Sequence, residues 1–321
     1  MSQVLERIYK LGIVPVIKID DAKNAYQLGK ALCEGGLPVA EVTFRTSAAK
    51  ESIQILSEKL PDMLIGAGTV LTKQQVDDAI DAGAKFIVSP GLNPEIVRYC
   101  IAKHIPIVPG CANASDIETA LELGLTTVKF FPSEPLGGLK MIKALAAPYV
   151  NVRFMPTGGI NESNIVEYLD YDRITACGGT WMVDPKAIAE GDFDKIKELT
   201  QGAVKTMLGM KLEHVGVNAT PATVNDVSTS FARLLQVEQV IGNTSSFAGT
   251  SIEVMKENGR GVHGHICYVV NNVDRAVNYY ESIGVRFIEK TKKKDDKGAL
   301  KFCYFEEEIG GFAIHLKQKA K

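Results

Sequence analysis

Lys129 lies in the run Thr127-Val128-Lys129-Phe130-Phe131-Pro132, an ammonium group threaded through an apolar strand that ends at a proline. Lysine is seldom fully buried without a partner, and burial disfavours an ammonium ion. A buried lysine that is neutral part of the time is a nucleophile able to form a Schiff base with a carbonyl compound. The same run also reads as an edge strand whose lysine stem packs while its head reaches water. Side chains alternate along a strand, so Val39, Glu41, Thr43 and Arg45 share one side of a second apolar run or its continuation. Thr127, Lys129 and Phe131 likewise share one side of theirs. A carboxylate and a lysine turned into one interior can combine a nucleophile with acid–base work. A purely structural Glu–Lys pair would carry a desolvation cost that its attraction barely offsets. Lys18 and Lys85 are the competing strand lysines. Lys85 opens its strand, whereas Lys18 falls near the end where a site would form.

The elements that must position these residues are short and regularly repeated. Apolar runs at Ile13-Ile19, Val39-Phe44, Leu64-Val70, Phe86-Pro90, Pro106-Cys111, Thr127-Phe131, Arg153-Thr157 and Ile174-Cys177 alternate with amphipathic segments. Strand followed by helix over this stretch predicts an α/β fold, a (β/α)8 TIM barrel, whose active site belongs at the C-terminal mouth. Gly35-Gly36, Gly83 and Gly124 fall where helices need a C-terminal cap before the next strand. A doubly wound open sheet is the competing architecture, but no GxGxxG follows the first strand. Two glycine pairs, Thr157-Gly158-Gly159 and Gly178-Gly179-Thr180, follow the seventh and eighth runs. Loops after those strands commonly cradle a phosphate with backbone N–H groups, so a phosphorylated substrate is expected.

Near Met207-Leu208 the pattern changes, and Gly209-Met210-Lys211 reads as a junction between domains at 1–208 and 209–321. The second part holds a weak internal repeat: a strand opening on His214 or His265, a helix, then strands ending around Glu253 or His315. At 321 residues the chain is long enough for both. A hydrophobic fraction of 45% with 23% charged residues is that of an ordinary globular protein, and a net charge of −2 gives no footprint for nucleic acid. Lys292-Lys293-Lys294, followed at once by Asp295-Asp296, reads as a solvated hairpin tip. The first residues lack a signal-peptide profile and no apolar stretch is long enough to span a bilayer, so a cytoplasmic protein is expected. Six scattered cysteines without CxxC spacing fit reduced, mostly packed thiols.

The segments Glu41-Val42-Thr43-Phe44-Arg45-Thr46, Gly66-Ala67-Gly68-Thr69-Val70, Ser89-Pro90-Gly91, Lys129-Phe130-Phe131-Pro132, Pro156-Thr157-Gly158-Gly159 and Gly178-Gly179-Thr180-Trp181 stand in order over residues 1–208. Together they resemble the 2-keto-3-deoxy-6-phosphogluconate (KDPG) and 4-hydroxy-2-oxoglutarate (KHG) aldolases. The resemblance implies a class I aldolase with no cofactor, usually a homotrimer acting on a small 2-keto acid. It assigns the Schiff base to Lys129 over Lys18 and acid–base catalysis to Glu41. It gives the pyruvate carboxylate to Arg45 with help from Thr69. The phosphate goes to Gly158, Gly159, Gly179 and Thr180, with Pro90, Phe131 and Thr157 completing the substrate-binding set. Thr180 stands where that family usually has serine, and Gly110-Cys111-Ala112-Asn113 departs from its usual loop. Residues 209–321 resemble the vicinal oxygen chelate, or glyoxalase-like, fold of paired βαβββ modules. By position that resemblance makes His214, Glu253, His265 and His315 ligands to a divalent metal, with His315 in place of a more usual glutamate and His263 as an alternative to His265. A degenerate module that only stabilises the chain is the other reading. For the whole chain, an isomerase or epimerase on a phosphate-binding barrel and a metabolite sensor remain rival functions.

Overall fold

The computed structural model describes residues 2–320, and the chain divides into two compact units between residues 207 and 208. The first unit carries strands β1 (Ile13–Ile17), β2 (Val39–Thr43), β3 (Leu64–Gly68), β4 (Phe86–Val88), β5 (Ile107–Val108), β6 (Thr127–Phe130), β7 (Arg153–Pro156) and β8 (Cys177–Gly179). Apart from Arg153, every residue of these strands is buried, as expected of a parallel sheet covered on both faces. Short polar caps start the intervening helices. Thr72 and Gln75 form a reciprocal capping box for Lys73–Asp81, Asn93 caps Pro94–Ala102, and Asn113 caps Ala114–Glu122. The unusual Asn113 therefore serves the fold locally.

Six strands form a parallel half-barrel sheet in the order β5-β4-β3-β2-β1-β8, and β6 pairs with β7 separately. Single parallel bridges join the two sheets. Gly110 pairs with Lys129, Phe154 with Ile174 and Thr157 with Gly178. This is an α/β fold in which each strand has a parallel neighbour on either side. The eighth strand is displaced from the run read in the sequence. It occupies Cys177–Gly179, paired to Ile13, Val14 and Pro15, while Ile174 makes only an isolated bridge. The two glycines expected as a loop thus lie in a strand. Glycine is required in that strand on steric grounds: a Cβ on Gly178 would stand 2.3 Å from Thr157 Oγ1, and one on Gly179 would stand 1.8 Å from the Trp181 ring.

The second unit is built on one eight-stranded sheet in the order β10-β11-β12-β9-β13-β16-β15-β14. The strands are β9 (Lys211–Asn218), β10 (Gln239–Ile241), β11 (Ser245–Ala248), β12 (Ile252–Met255), β13 (Gly264–Val270), β14 (Lys293–Lys294), β15 (Leu300–Ile309) and β16 (Phe312–Gln318). One helix (Val224–Leu235) follows β9 and another (Val273–Ser282) follows β13, so each half runs strand, helix, three strands. The two halves meet where β9 pairs antiparallel with β13. β9 begins three residues before His214, so that histidine sits within its strand and does not open it. The hairpin turn after the lysine run is made by Asp295 to Ala299, and Lys293 and Lys294 lie in β14. Lys292 is tied to Glu281 and Glu289 at 3.2 and 2.6 Å. Among the described residues no helix is long and apolar enough to cross a membrane.

Candidate active site and candidate metal centre

In the first unit β6 and β2 deliver Lys129 and Glu41 to one cavity of about 370 Å³. Lys129 Nζ donates to Glu41 Oε1 at 3.2 Å, with the lysine 5% and the glutamate 0% exposed. The lysine backbone is clamped on the chain leaving β5: its N–H donates to the Pro109 carbonyl and its carbonyl accepts from Cys111 N–H, each at 2.8 Å. The register of β2 sets Glu41 between Val16 of β1 and Gly66 of β3. Gly68 leaves the space the carboxylate fills, since a Cβ there would stand 2.3 Å from Oε1. Glu41 Oε2 and Thr157 Oγ1 are buried and find no partner among the described residues. An unmet buried polar atom costs roughly 1–3 kcal/mol, so these two atoms mark where a polar ligand would be accommodated. The Phe131 ring lies 5.3 Å from Lys129 Nζ.

The other expected residues line the same cavity. Arg45 is exposed at its mouth, its Nε donating to Thr43 Oγ1 at 3.2 Å, and Thr43 in turn donates to the Ile17 carbonyl at 2.9 Å. Thr69 holds a φ of 55°, a left-handed conformation that a β-branched residue rarely adopts. Pro90, Gly158, Gly159, Gly179 and Thr180 complete the wall. Gly158 and Gly159 have φ of 97° and 84°, and their carbonyls are tied back by Glu134 N–H and by the Asn161 and Asn164 amides. Thr180 is exposed within the lining. Lys18 is half-exposed and pairs with Asp20 at 2.7 Å, and Lys85 is exposed ahead of β4. Val16, Thr43 and Ile160 also line the cavity. Thr43 shares the Glu41 side in the sequence alternation, whereas nothing in the sequence singles out Val16 or Ile160. Cys111 is buried behind the lysine, and burial pushes its thiol up to about 12. All six cysteines are free, and five are buried.

In the second unit, cross-strand register gathers a polar cluster. His214, Cys267 and His315 are direct neighbours across β9, β13 and β16, and Glu253 and His265 flank Gly216 in an adjacent row. His214 Nε2 lies 3.2 Å from both His265 Nε2 and Glu253 Oε2, and the last two are 3.1 Å apart. Gly216 makes this meeting feasible, because a Cβ there would stand 2.1 Å from the His265 ring. Burial pushes the Glu253 carboxyl up, but hydrogen bonds from His214, His265 and Ser245 outweigh it and hold the group well below the usual range. Burial, with the neighbouring imidazoles, pushes His315 down to about 3. Its Nδ1 is buried without a partner among the described residues. Behind the row, Glu213 Oε2 lies 3.4 Å from His214 Nδ1 and accepts from Cys267 Sγ at 3.2 Å. Cys267 carries no signal in the sequence, since one cysteine in an apolar strand has no spacing pattern. His263 is exposed beside Phe312 and stands outside the cluster. The cluster opens on a cavity of about 810 Å³.

Comparison with known proteins places the first unit in context. The profile of the family described as "Aldolase: KDPG and KHG aldolase" matches residues 4–199. The chain is 47% identical over 201 residues to the 2-dehydro-3-deoxy-phosphogluconate aldolase of Treponema pallidum (strain Nichols), covering 63% of this chain and 96% of that protein. It is 48% identical over 203 residues to the protein of the same name from Haemophilus influenzae, again with 63% and 96% covered. Among solved structures it resembles the KDPG aldolase of Legionella pneumophila, which holds pyruvate as a covalent carbinolamine intermediate. That match has a TM-score of 0.60, 38% identity, and covers 62% of this chain and 97% of the other.

Proposed function

The chain belongs to the KDPG and KHG aldolase family through residues 4–199, and on that premise we propose how its own residues carry out the reaction. The protein is a class I aldehyde-lyase that cleaves KDPG by a retro-aldol step, giving pyruvate and glyceraldehyde 3-phosphate. The observation that supports the assignment of roles is the buried contact of Lys129 with Glu41, 3.2 Å apart in one cavity. The Lys129 amine attacks the C2 ketone, and loss of water leaves an iminium. Glu41 takes the proton of the C4 hydroxyl, the C3–C4 bond breaks, and its electron pair moves into the iminium to form an enamine. The aldehyde departs, C3 is reprotonated, and water releases pyruvate and restores the amine. The iminium is the electron sink, so the step needs no metal.

Arg45, supported by Thr43, and Thr69 hold the pyruvate carboxylate. Gly158, Gly159, Gly179 and Thr180 receive the phosphate, with Pro90, Phe131 and Thr157 as walls. KHG, which has a carboxylate at that end, is the second substrate and would give pyruvate and glyoxylate. The ring of parallel neighbours supports reading this unit as a closed (β/α)8 barrel, and a homotrimer in the cytoplasm is the expected form. Borohydride reduction in the presence of pyruvate tests the assignment. The expected product is a mass increase on the peptide containing Lys129, lost in Lys129→Ala. An adduct mapped to Lys18 would overturn the assignment, and an isomerase would give no adduct.

For the second unit the strand–helix–three-strand halves support a glyoxalase-like domain, and His214, Glu253, His265 and His315 form its divalent-metal site. The fit rests on the ligand atoms of His214, Glu253 and His265, 3.1–3.2 Å apart, while His315 groups with His214 and Cys267 on the neighbouring row. Such separations suit donors that share an ion at about 2.0–2.2 Å. Glu213 would orient His214 from behind. A bound ion would supply Lewis-acid polarisation of a ligand oxygen.

A further inference from the structure

We propose that Glu134 and Tyr168, which touch no reacting atom, position the glycine turn for the phosphate of KDPG, a role that rests on reading Gly158 and Gly159 as phosphate contacts.

The chain that leaves β6 with Lys129 passes behind that turn. Ser133 N–H donates to the Thr157 carbonyl at 2.8 Å, and Glu134 N–H donates to the Gly158 carbonyl at 3.0 Å. The Gly159 carbonyl accepts from the Asn161 and Asn164 side-chain amides at 3.2 and 3.1 Å. A planar trans peptide sets its N–H opposite its carbonyl. The N–H groups of Gly159 and Ile160 therefore face away from these anchors, and both residues line the active-site cavity. What holds the carbonyls thus aims the donors.

The Glu134 stem is pressed onto the same turn, since a Cβ on Gly159 would stand 2.5 Å from both Cβ and Cγ of Glu134. Tyr168 fixes that stem. Its hydroxyl donates to Glu134 Oε1 and, having no second hydrogen to give, accepts from Ser133 Oγ at 3.0 Å. Ser133 and Tyr168 are buried, whereas Glu134 is exposed. An exposed glutamate has rotamer freedom to lose on being ordered, and a hydrogen bond from a buried donor to its charge offsets that loss. Gly138 leaves room for the pair, because a Cβ there would stand 2.8 Å from Glu134 Oε1 and 2.9 Å from Tyr168 Oη. Burial and the Glu134 carboxylate raise the Tyr168 phenol above its ordinary range, so it stays a donor at neutral pH. Tyr168 lies in the helix Ile165–Leu169, which starts just after Asn164. The Tyr168–Glu134 contact therefore joins the two segments that grip the turn, one from each side.

The test measures kcat and KM of the full chain on KDPG and on its dephosphorylated form, beside the pyruvate concentration that half-saturates borohydride trapping. Tyr168→Phe removes only the hydroxyl. It is expected to cut the preference in kcat/KM for the phosphorylated substrate about tenfold, the low end of the worth of a hydrogen bond to a charged group. The loss should fall on KM for KDPG, with kcat and pyruvate trapping within about twofold. Glu134→Ala, at an exposed position, should give the same loss and supplies the answer should Tyr168→Phe fail to fold. Glu134→Gln can still accept from Tyr168 and should restore most of the preference. A preference left intact in both Tyr168→Phe and Glu134→Ala would overturn the positioning role and leave the phosphate site standing. Equal losses on both substrates, with weakened pyruvate trapping, would overturn it in favour of general damage. A wild-type protein that does not prefer the phosphorylated substrate would overturn the phosphate reading and this role with it.

Discussion

Glu41 and Gly216 show how much of each site turns on a single side chain or its absence. Glu41 is fully buried, with one oxygen on Lys129 and the other without a partner among the described residues, so a neutral isostere keeps the shape and removes the proposed base. Glu41→Gln is expected to retain borohydride-trapped pyruvate on Lys129 while cleavage falls by about 10²–10⁴. Near-normal exchange of the pyruvate methyl protons in that variant would assign proton transfer to another group. Gly216 works by omission, because the His265 ring occupies the place of its Cβ. Gly216→Ala should displace His265 and weaken metal binding by about 10- to 100-fold, the range seen when ligand support is lost. Isothermal titration with zinc, beside an unchanged circular dichroism spectrum, checks it. Lys129 was prominent in the sequence because a charge in an apolar strand is anomalous. Gly216 was silent because a strand glycine has many ordinary explanations.

At the scale of elements, the two glycine pairs share a composition and do different work. Gly158 and Gly159 bend a turn with positive φ, while Gly178 and Gly179 sit in β8 under the Thr157 and Trp181 side chains. A bulky residue at Gly179 would therefore dislodge Trp181 and damage the wall, which makes it a poor probe of phosphate binding. Thr180 lies exposed in the cavity lining, and Thr180→Val removes its hydroxyl at nearly constant volume. This change should raise KM for KDPG about ten- to a hundredfold, the worth of one hydrogen bond to a charged group. KM for KHG should move less. Equal increases for both substrates would count against a phosphate contact there.

For the whole molecule, two units of different architecture are joined, the first an aldolase by family and the second proposed to hold a metal ion. The iminium route uses no metal, so dialysis against EDTA should leave KDPG cleavage within about twofold of the untreated protein. The same treatment should lower the thermal transition of the second unit. An ion present at 100 times its Kd contributes about 2.7 kcal/mol, and calorimetry with and without zinc reads that loss. An unchanged transition would mean that no ion was held. The alternation of apolar runs determined that the first 208 residues are strands and helices in sequence, and the strand lysine and glutamate named themselves by being charged where burial is expected. Composition alone set aside nucleic acid. What only the tertiary structure decided is which distant residues touch. Lys129 and Glu41 are 88 positions apart and meet through the strand neighbours of a curved sheet. The second-unit cluster joins β9, β12, β13 and β16 by register, and register depends on pairing between strands that are remote in the chain. Local periodicity reports which face a side chain takes. It carries no information on which strand lies alongside, and so the parts played by Cys267 and Gly216 became visible only once the sheet was assembled.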